Sequence, residues 1–125
     1  MLLAWRSKEI HDLCASMDGL DRLWPAYAST AKELLSVVVA APDLASLRPL
    51  RSIVVRPAVT RDRLIAKFSI HLEEVKMTGV VLDEHGRPEL VPSPDQFWPS
   101  VGGRTAVEIA SMSAAGRRLE SAAVA

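Results

Sequence analysis

The chain has little of three features that would point to whole classes of protein: cysteine, long apolar runs and an excess of one charge. Its 125 residues include a single cysteine, Cys14, so an intrachain disulfide is excluded and a reducing compartment is indicated. The longest apolar run stops at Pro42, well short of the roughly eighteen residues that a membrane span requires. Arg6 follows too soon after the start for a signal peptide, so we expect a cytoplasmic protein with no membrane contact.

The formal net charge is zero, but the charges are segregated along the chain. Residues 48–76 hold seven basic and three acidic residues, whereas residues 1–47 and 77–125 each have a net charge of −2. A basic segment that forms part of a sheet is a plausible surface for a polyanion or an acidic partner, and the alternative is a solvated rim. The length and the ordinary apolar content predict one domain over residues 1–112, followed by a flexible tail over residues 113–125.

The chain begins with a predicted strand followed by a predicted helix. Residues 2–5 are apolar and indicate the strand. Ser7 is a candidate N-cap for a helix over residues 7–18, which Gly19 is expected to end. The apolar side chains at helical spacing are Ile10, Leu13, Cys14 and Met17.

A second, longer helix is predicted over residues 23–41. Pro25 suits its first turn, and Pro42 closes it. One stripe of this helix is apolar, so the two helices form a hairpin with two faces to bury. The stripe consists of Leu23, Tyr27, Ala31, Leu34, Leu35 and Val38.

The second half of the chain changes to the alternating period of strands. Residues 53–55, 67–72 and 75–81 are strand candidates, and the last strand is predicted over residues 105–112. Gly79 interrupts its strand and indicates a bulge. In residues 67–72 one face is apolar and the other polar: Phe68, Ile70 and Leu72 against Lys67, Ser69 and His71. Proline and glycine are frequent in residues 83–100, which predicts a long loop.

The predicted order of elements, β, α, α, β, β, β, β, defines an α+β fold. Two N-terminal helices would pack on one face of a small, mostly antiparallel sheet. The other face would be polar, and it brings the basic segment and the strand pattern together. We expect that face to carry Lys67, Ser69, His71, Lys76, Thr78 and Glu108. The three histidines lack the spacing of metal ligands, so neither a metal nor another cofactor is expected.

The order and spacing of several short motifs resemble the RelE/HigB-like toxin superfamily of bacterial toxin–antitoxin modules, especially its plasmid maintenance or killer protein branch. The resemblance covers about residues 1–112. The motifs are the segment Trp5 to Cys14, the Leu- and Pro-containing linker Asp43 to Leu50, Asp62-Arg63 before Lys67 to Leu72, the strand Val75 to Leu82, Trp98, and Thr105 to Ile109.

What the resemblance implies is a ribosome-dependent mRNA endoribonuclease that uses no metal. Cleavage of RNA through its 2′-OH needs a proton acceptor and cations near the phosphate. His71 is a histidine in a predicted strand, and its side chain ordinarily titrates near neutral pH. The candidate catalytic residues are therefore His71, Lys67, Lys76 and Arg63, and the candidate RNA-binding residues are Arg61, Arg56 and Arg51.

Two other functions stay open. Many members of the superfamily place a tyrosine or histidine just after the last strand, but residues 111–114 contain neither. This favours either a non-catalytic relative that acts as a binding or regulatory module, or a toxin directed at gyrase. In each case the expected partner is a cognate antitoxin, a helix-turn-helix protein encoded next to this one, whose acidic or amphipathic segment would cover the basic sheet face.

Overall fold

The computed structural model describes residues 1–15 and 18–118, and it shows an α+β protein with a mixed sheet. The helices of this part are α1 (Lys8–Ala15), α2 (Gly19–Leu23), α3 (Ala28–Ala40) and α4 (Phe97–Val101). The strands are β1 (Leu2–Trp5), β2 (Ile53–Pro57), β3 (Lys67–Leu72), β4 (Val75–Val81), β5 (Ala106–Ala114) and β6 (Arg117–Arg118). The α+β class predicted from the sequence is confirmed.

The sheet has the strand order β1-β5-β4-β3-β2, and the short β6 pairs with β5. β1 is parallel to β5, whereas the other pairings are antiparallel. Residues far apart in the chain, such as Arg6 and Glu108, therefore become neighbours. The parallel pair is possible because the helices α1, α2 and α3 and the β2–β3–β4 meander lie between β1 and β5 in the chain.

The helices and the apolar face of the sheet share one hydrophobic core. Phe68 and Ile70 are fully buried in it, as the alternation in β3 predicts. Val38 of α3 belongs to the same core, and Leu35 packs against it while remaining partly exposed. The predicted stripe members that lie outside the described part are Met17 and the side chain of Leu23.

The predicted boundaries of the helices are wrong in two places. Gly19 opens α2 instead of ending α1, although Ser7 does act as the predicted N-cap, since its Oγ accepts a hydrogen bond from the Ile10 N–H. The second helix begins at Ala28 and not at residue 23. The reason is Pro25, which disfavours the helical conformation in Trp24, so α2 ends there and a turn follows.

The predicted loop over residues 83–100 contains a short helical segment. A 3-10 turn over Pro94–Gln96 leads into α4, whose Phe97 and Val101 are buried. Proline is tolerated here because the first turn of a helix leaves its N–H groups without partners inside the helix. The ring of Trp98 lies against Phe97, and the Arg48 guanidinium stacks 4.3 Å from the centre of the indole.

The chain after Met112 also differs from its prediction. β5 continues to Ala114, and a turn with positive φ at Ala115 and Gly116 leads into β6. Residues 113–118 therefore form a hairpin instead of part of a flexible tail, while residues 119–125 of the predicted tail lie outside the described part. This hairpin brings Arg118 beside Ser113.

Candidate polyanion-binding face

The polar face of the sheet is organised as three rows of side chains that run across the strands. Directly paired residues of neighbouring strands project to the same face, so the register defines each row. The first row is Val54, His71, Lys76, Ser113 and Arg118; the second is Arg56, Ser69, Thr78 and Ser111; the third is Lys67, Val80, Glu108 and Ala4. A row of hydroxyls thus lies between two rows that carry cations.

A depression of about 450 Å³ opens on this face. It is lined by four cationic side chains, those of Arg6, Lys67, Lys76 and Arg118, and no carboxylate of residues 1–15 or 18–118 belongs to its lining. The hydroxyl residues that line it are Ser69, Thr78 and Ser111. Cations and hydroxyl donors that converge without an acidic neighbour in the lining are suited to an anion.

The depression lies at a β-bulge between β4 and β5. The pairing shifts between Thr78 and Gly79, so that Ala110 of β5 has no opposite residue in β4. A methyl group on Gly79 would collide with the backbone oxygen of Glu108 and approach the Phe68 ring to 3.0 Å. The bulge predicted from Gly79 is confirmed, and its physical basis is the close approach of the two strands, which only glycine permits here.

His71 stands at the border of the depression, next to Lys76 across the hairpin. Its Nε2 lies 3.3 Å from the Ser69 Oγ, and this contact orients the imidazole. Partial burial lowers the pKa of His71 below its usual value of 6.5, and the positive charges of Lys76 and Arg56 lower it further. The ring is therefore neutral at pH 7, the state in which a histidine accepts a proton.

Glu108 is the acidic residue that the register places on this face. Its Oε1 lies 3.1 Å from the Arg6 Nε, and the carboxylate side chain is only 28% exposed. Arg6 thus enters the depression with part of its charge compensated. In the neighbouring loop, Asp62 accepts a hydrogen bond from Thr60, which holds the pKa of that carboxyl below its usual range, with a smaller contribution from the charge of Lys67.

Four of the seven predicted site residues come together on this face, and three lie elsewhere. His71, Lys67, Lys76 and Arg56 occupy the three rows. The others are exposed residues outside the rows. Arg51 precedes β2 in a turn, Arg63 forms a bridge with Thr60, and Arg61 lines a separate depression of about 510 Å³ with Leu64 and residues 92–95.

The sequence reasoning did not include Arg6 and Arg118 among the site residues. Arg6 follows β1, and only the parallel pairing of β1 with β5 places it beside Glu108. Arg118 was assigned to the tail. The signal that points to it is Ala115-Gly116, a turn-forming pair after a strand and before two arginines.

Other chemistry-bearing groups of the described part lie apart from this face. Cys14 packs against the hydrophobic core, and its Sγ lies 3.4 Å from the Met112 Sδ. Burial raises the pKa of its thiol to about 12. Residues 1–15 and 18–118 contain no group of three or more His, Cys, Asp or Glu side chains arranged to hold a metal ion. Within the same ranges, no helix is long and apolar enough to cross a membrane.

The fold and this face define an α+β protein with a cationic, hydroxyl-lined sheet surface. Comparison with protein-family models, with curated proteins and with solved structures gives no match.

Proposed function

We propose that the protein is the toxin of a toxin–antitoxin pair and that it cleaves mRNA on the ribosome without a metal. The observation that carries the proposal is the neutral imidazole of His71 beside Lys76, at the border of a depression lined by cations and hydroxyls. A neutral histidine among cations suits transfer of a proton from a 2′-OH next to a phosphate. A helical N-terminal segment followed by an antiparallel meander is compatible with the RelE-like fold that the motifs resemble.

The proposed reaction needs only the groups of this face. His71 accepts the proton of the 2′-OH, the 2′-oxygen forms a bond to phosphorus, and the bond from phosphorus to the 5′-oxygen breaks. The 5′-oxygen takes a proton from solvent, which leaves a 2′,3′-cyclic phosphate and a 5′-OH. Lys76, beside His71, stabilises the charge that develops on the phosphate oxygens. Lys67, two rows away, would hold a neighbouring phosphate of the same RNA. Arg56 would hold a neighbouring phosphate, while Arg51, Arg61 and Arg63 would contact RNA further from the scissile bond.

A second candidate function is that of a non-catalytic binding or regulatory protein with a RelE-like fold, which binds an antitoxin and does not cleave RNA. Among the described residues of this face, His71 is the one histidine, and the end of β5 carries Ser111 and Ser113 without a tyrosine or histidine. For either candidate, the proposed partner is a helix-turn-helix antitoxin that is encoded next to this protein and has an acidic segment. The proposed compartment is the cytoplasm.

Induced expression in a bacterium that lacks the antitoxin tests the proposal. We expect growth arrest with new mRNA ends in translated regions for the natural sequence, and loss of both for His71→Ala. His85→Ala is the matched control, because His85 is a highly exposed histidine in a turn outside the three rows. Arrest without mRNA cleavage would indicate gyrase or another target. A folded protein that causes no arrest would favour the non-catalytic candidate.

A further inference from the structure

The two ends of the depression differ in how far their cations are neutralised. At one end, Lys76 and Arg118 flank Ser113 in the same row, and neither forms an ion pair within the described part of the chain. At the other end, Arg6 is paired with Glu108, and the Asp62 carboxylate lies within electrostatic range of Lys67. The first end therefore offers the less compensated positive charge.

The two ends are also too far apart for a single phosphate. Lys67 pairs with Val80, and Lys76 lies four positions before Val80 in β4. At a rise of about 3.3 Å per residue, the two rows are roughly 13 Å apart along the strands. The space between them is taken by the hydroxyls of Thr78 and Ser111, which hydrogen-bond to each other, and by Ser69.

We infer that the depression binds two separate phosphates of one single-stranded nucleic acid, with Lys76 and Arg118 as the primary subsite and Lys67 as the second. The inference rests on the proposed function, since it defines the ligand of the same face. It assigns Arg118, which comes from the C-terminal hairpin, to binding. It also assigns Glu108 the effect of weakening the second subsite, because this carboxylate lies in the same row as Lys67 and repels a phosphate bound there.

An acidic peptide is the alternative polyanion, but the middle of the site favours a nucleic acid. Sugar hydroxyls and bases between successive phosphates have hydrogen-bonding groups that the hydroxyl row can meet. Carboxylates on a peptide would need cations along the whole length of the depression, whereas the cations stand at its ends.

The test is equilibrium binding of 2′-O-methyl oligouridylates, which cannot be cleaved through the 2′-oxygen, to the full-length protein at several salt concentrations. The ligands are the 5′-phosphorylated mononucleotide and tetranucleotide, with a ten-residue glutamate peptide of matched concentration. We expect the tetranucleotide to bind at least tenfold more tightly than the mononucleotide, because it reaches both ends. We expect the peptide to bind more weakly than the tetranucleotide.

Three substitutions separate the two subsites. Arg118→Gln is expected to weaken the mononucleotide and the tetranucleotide by roughly tenfold each, and Lys67→Gln to weaken only the tetranucleotide. Each should reduce the slope of log K against log salt by about 0.7 for the tetranucleotide, the value for one phosphate contact on a single strand. Glu108→Gln should increase tetranucleotide affinity. The matched control is Arg117→Gln, which removes the same charge from the neighbouring position of β6 that projects to the opposite face.

Equal affinities for the two nucleotide ligands would overturn the inference, as would equal behaviour of Arg118→Gln and Arg117→Gln. Peptide binding as tight as that of the tetranucleotide would overturn it in favour of a peptide partner. These failures are distinct from failure of the proposed function. If the tetranucleotide binds more tightly than the mononucleotide but His71→Ala still cleaves RNA, only the proposed reaction is contradicted. If His71→Ala loses cleavage but the two nucleotides bind equally well, only the two subsites are contradicted.

Discussion

Truncation of Phe68 tests how the polar face is held in place, because this residue anchors β3 to the core directly behind the hydroxyl row. Phe68 is 1% exposed and pairs with Pro57 on one side and with Gly79 on the other. Loss of the buried ring removes roughly 1.5–3 kcal/mol of transfer free energy, and the cavity left behind raises the usual total to about 3–5 kcal/mol. Gly79 has no side chain that could move into the cavity, so we expect Phe68→Ala to cost about 4–5 kcal/mol.

Urea unfolding followed by circular dichroism measures this cost, provided that the m value of the variant equals that of the natural sequence. The matched control is Val54→Ala in the neighbouring strand β2, because Val54 is 43% exposed and its truncation should change the free energy of unfolding by no more than about 0.5 kcal/mol. A loss below about 1 kcal/mol for Phe68→Ala would refute the reasoning, since it would place the ring outside the shared core.

Three further predictions concern the bulge, the histidine and the cysteine. Gly79→Ala should destabilise the fold by about 1–3 kcal/mol in the same urea assay, because the new methyl group meets backbone, whereas Gly103→Ala, with nothing within 4 Å, should be nearly neutral. An NMR titration should give His71 a midpoint below 6.5, and Lys76→Met should raise it. Since the folded state binds this proton less well than the unfolded state, the contribution of His71 to stability should be complete above pH 6.5 and decrease as the pH falls below that value. Cys14 should react with a thiol-specific reagent at pH 8 only after denaturant is added, because a pKa of about 12 leaves roughly one thiolate in ten thousand.

The strands were predictable where alternation and turn chemistry agree. The bounds of β3 match the prediction because apolar and polar residues alternate without interruption from Lys67 to Leu72. The predicted strands at residues 67–72 and 75–81 leave only Glu73-Glu74 to join them, although the sequence does not show that Glu73 takes a positive φ. Local patterns of this kind depend on neighbouring residues alone, so one sequence is sufficient to recognise them.

The helical part and the C-terminal hairpin were less predictable because each depends on a context beyond its own period. Pro25 fits the first turn of a helix as well as a turn between helices, and the burial of Trp24 decides for the latter. The helix at residues 97–101 depends on burial of Phe97 under the rest of the core. The place of Arg118 follows from pairing of β6 with β5, and a segment of two residues has no periodicity to reveal it.

The candidate site was predictable in its centre and not at its ends. Alternation in β3 and the short hairpin place Lys67, His71 and Lys76 on one face, and the register agrees. Arg6 reaches this face through its contact with Glu108, which is more than one hundred residues away in the chain. Arg118 reaches it through β6, a strand that the sequence did not predict. Arg63 is close to β3 in sequence, but it pairs with Thr60 within its own loop and is not a member of the rows.

The most direct test of the central claim is the chemistry of the RNA ends that the protein produces on translating ribosomes. Purified protein is added to a translation reaction, and the new ends of the mRNA are identified by their reactivity toward a kinase and a ligase. Because attack by the 2′-oxygen expels the 5′-oxygen, we expect 5′-OH ends and 2′,3′-cyclic phosphates, both lost in His71→Ala and retained in His85→Ala. Ends with a 5′-phosphate, or cleavage that persists in His71→Ala, would contradict the proposed role of this face.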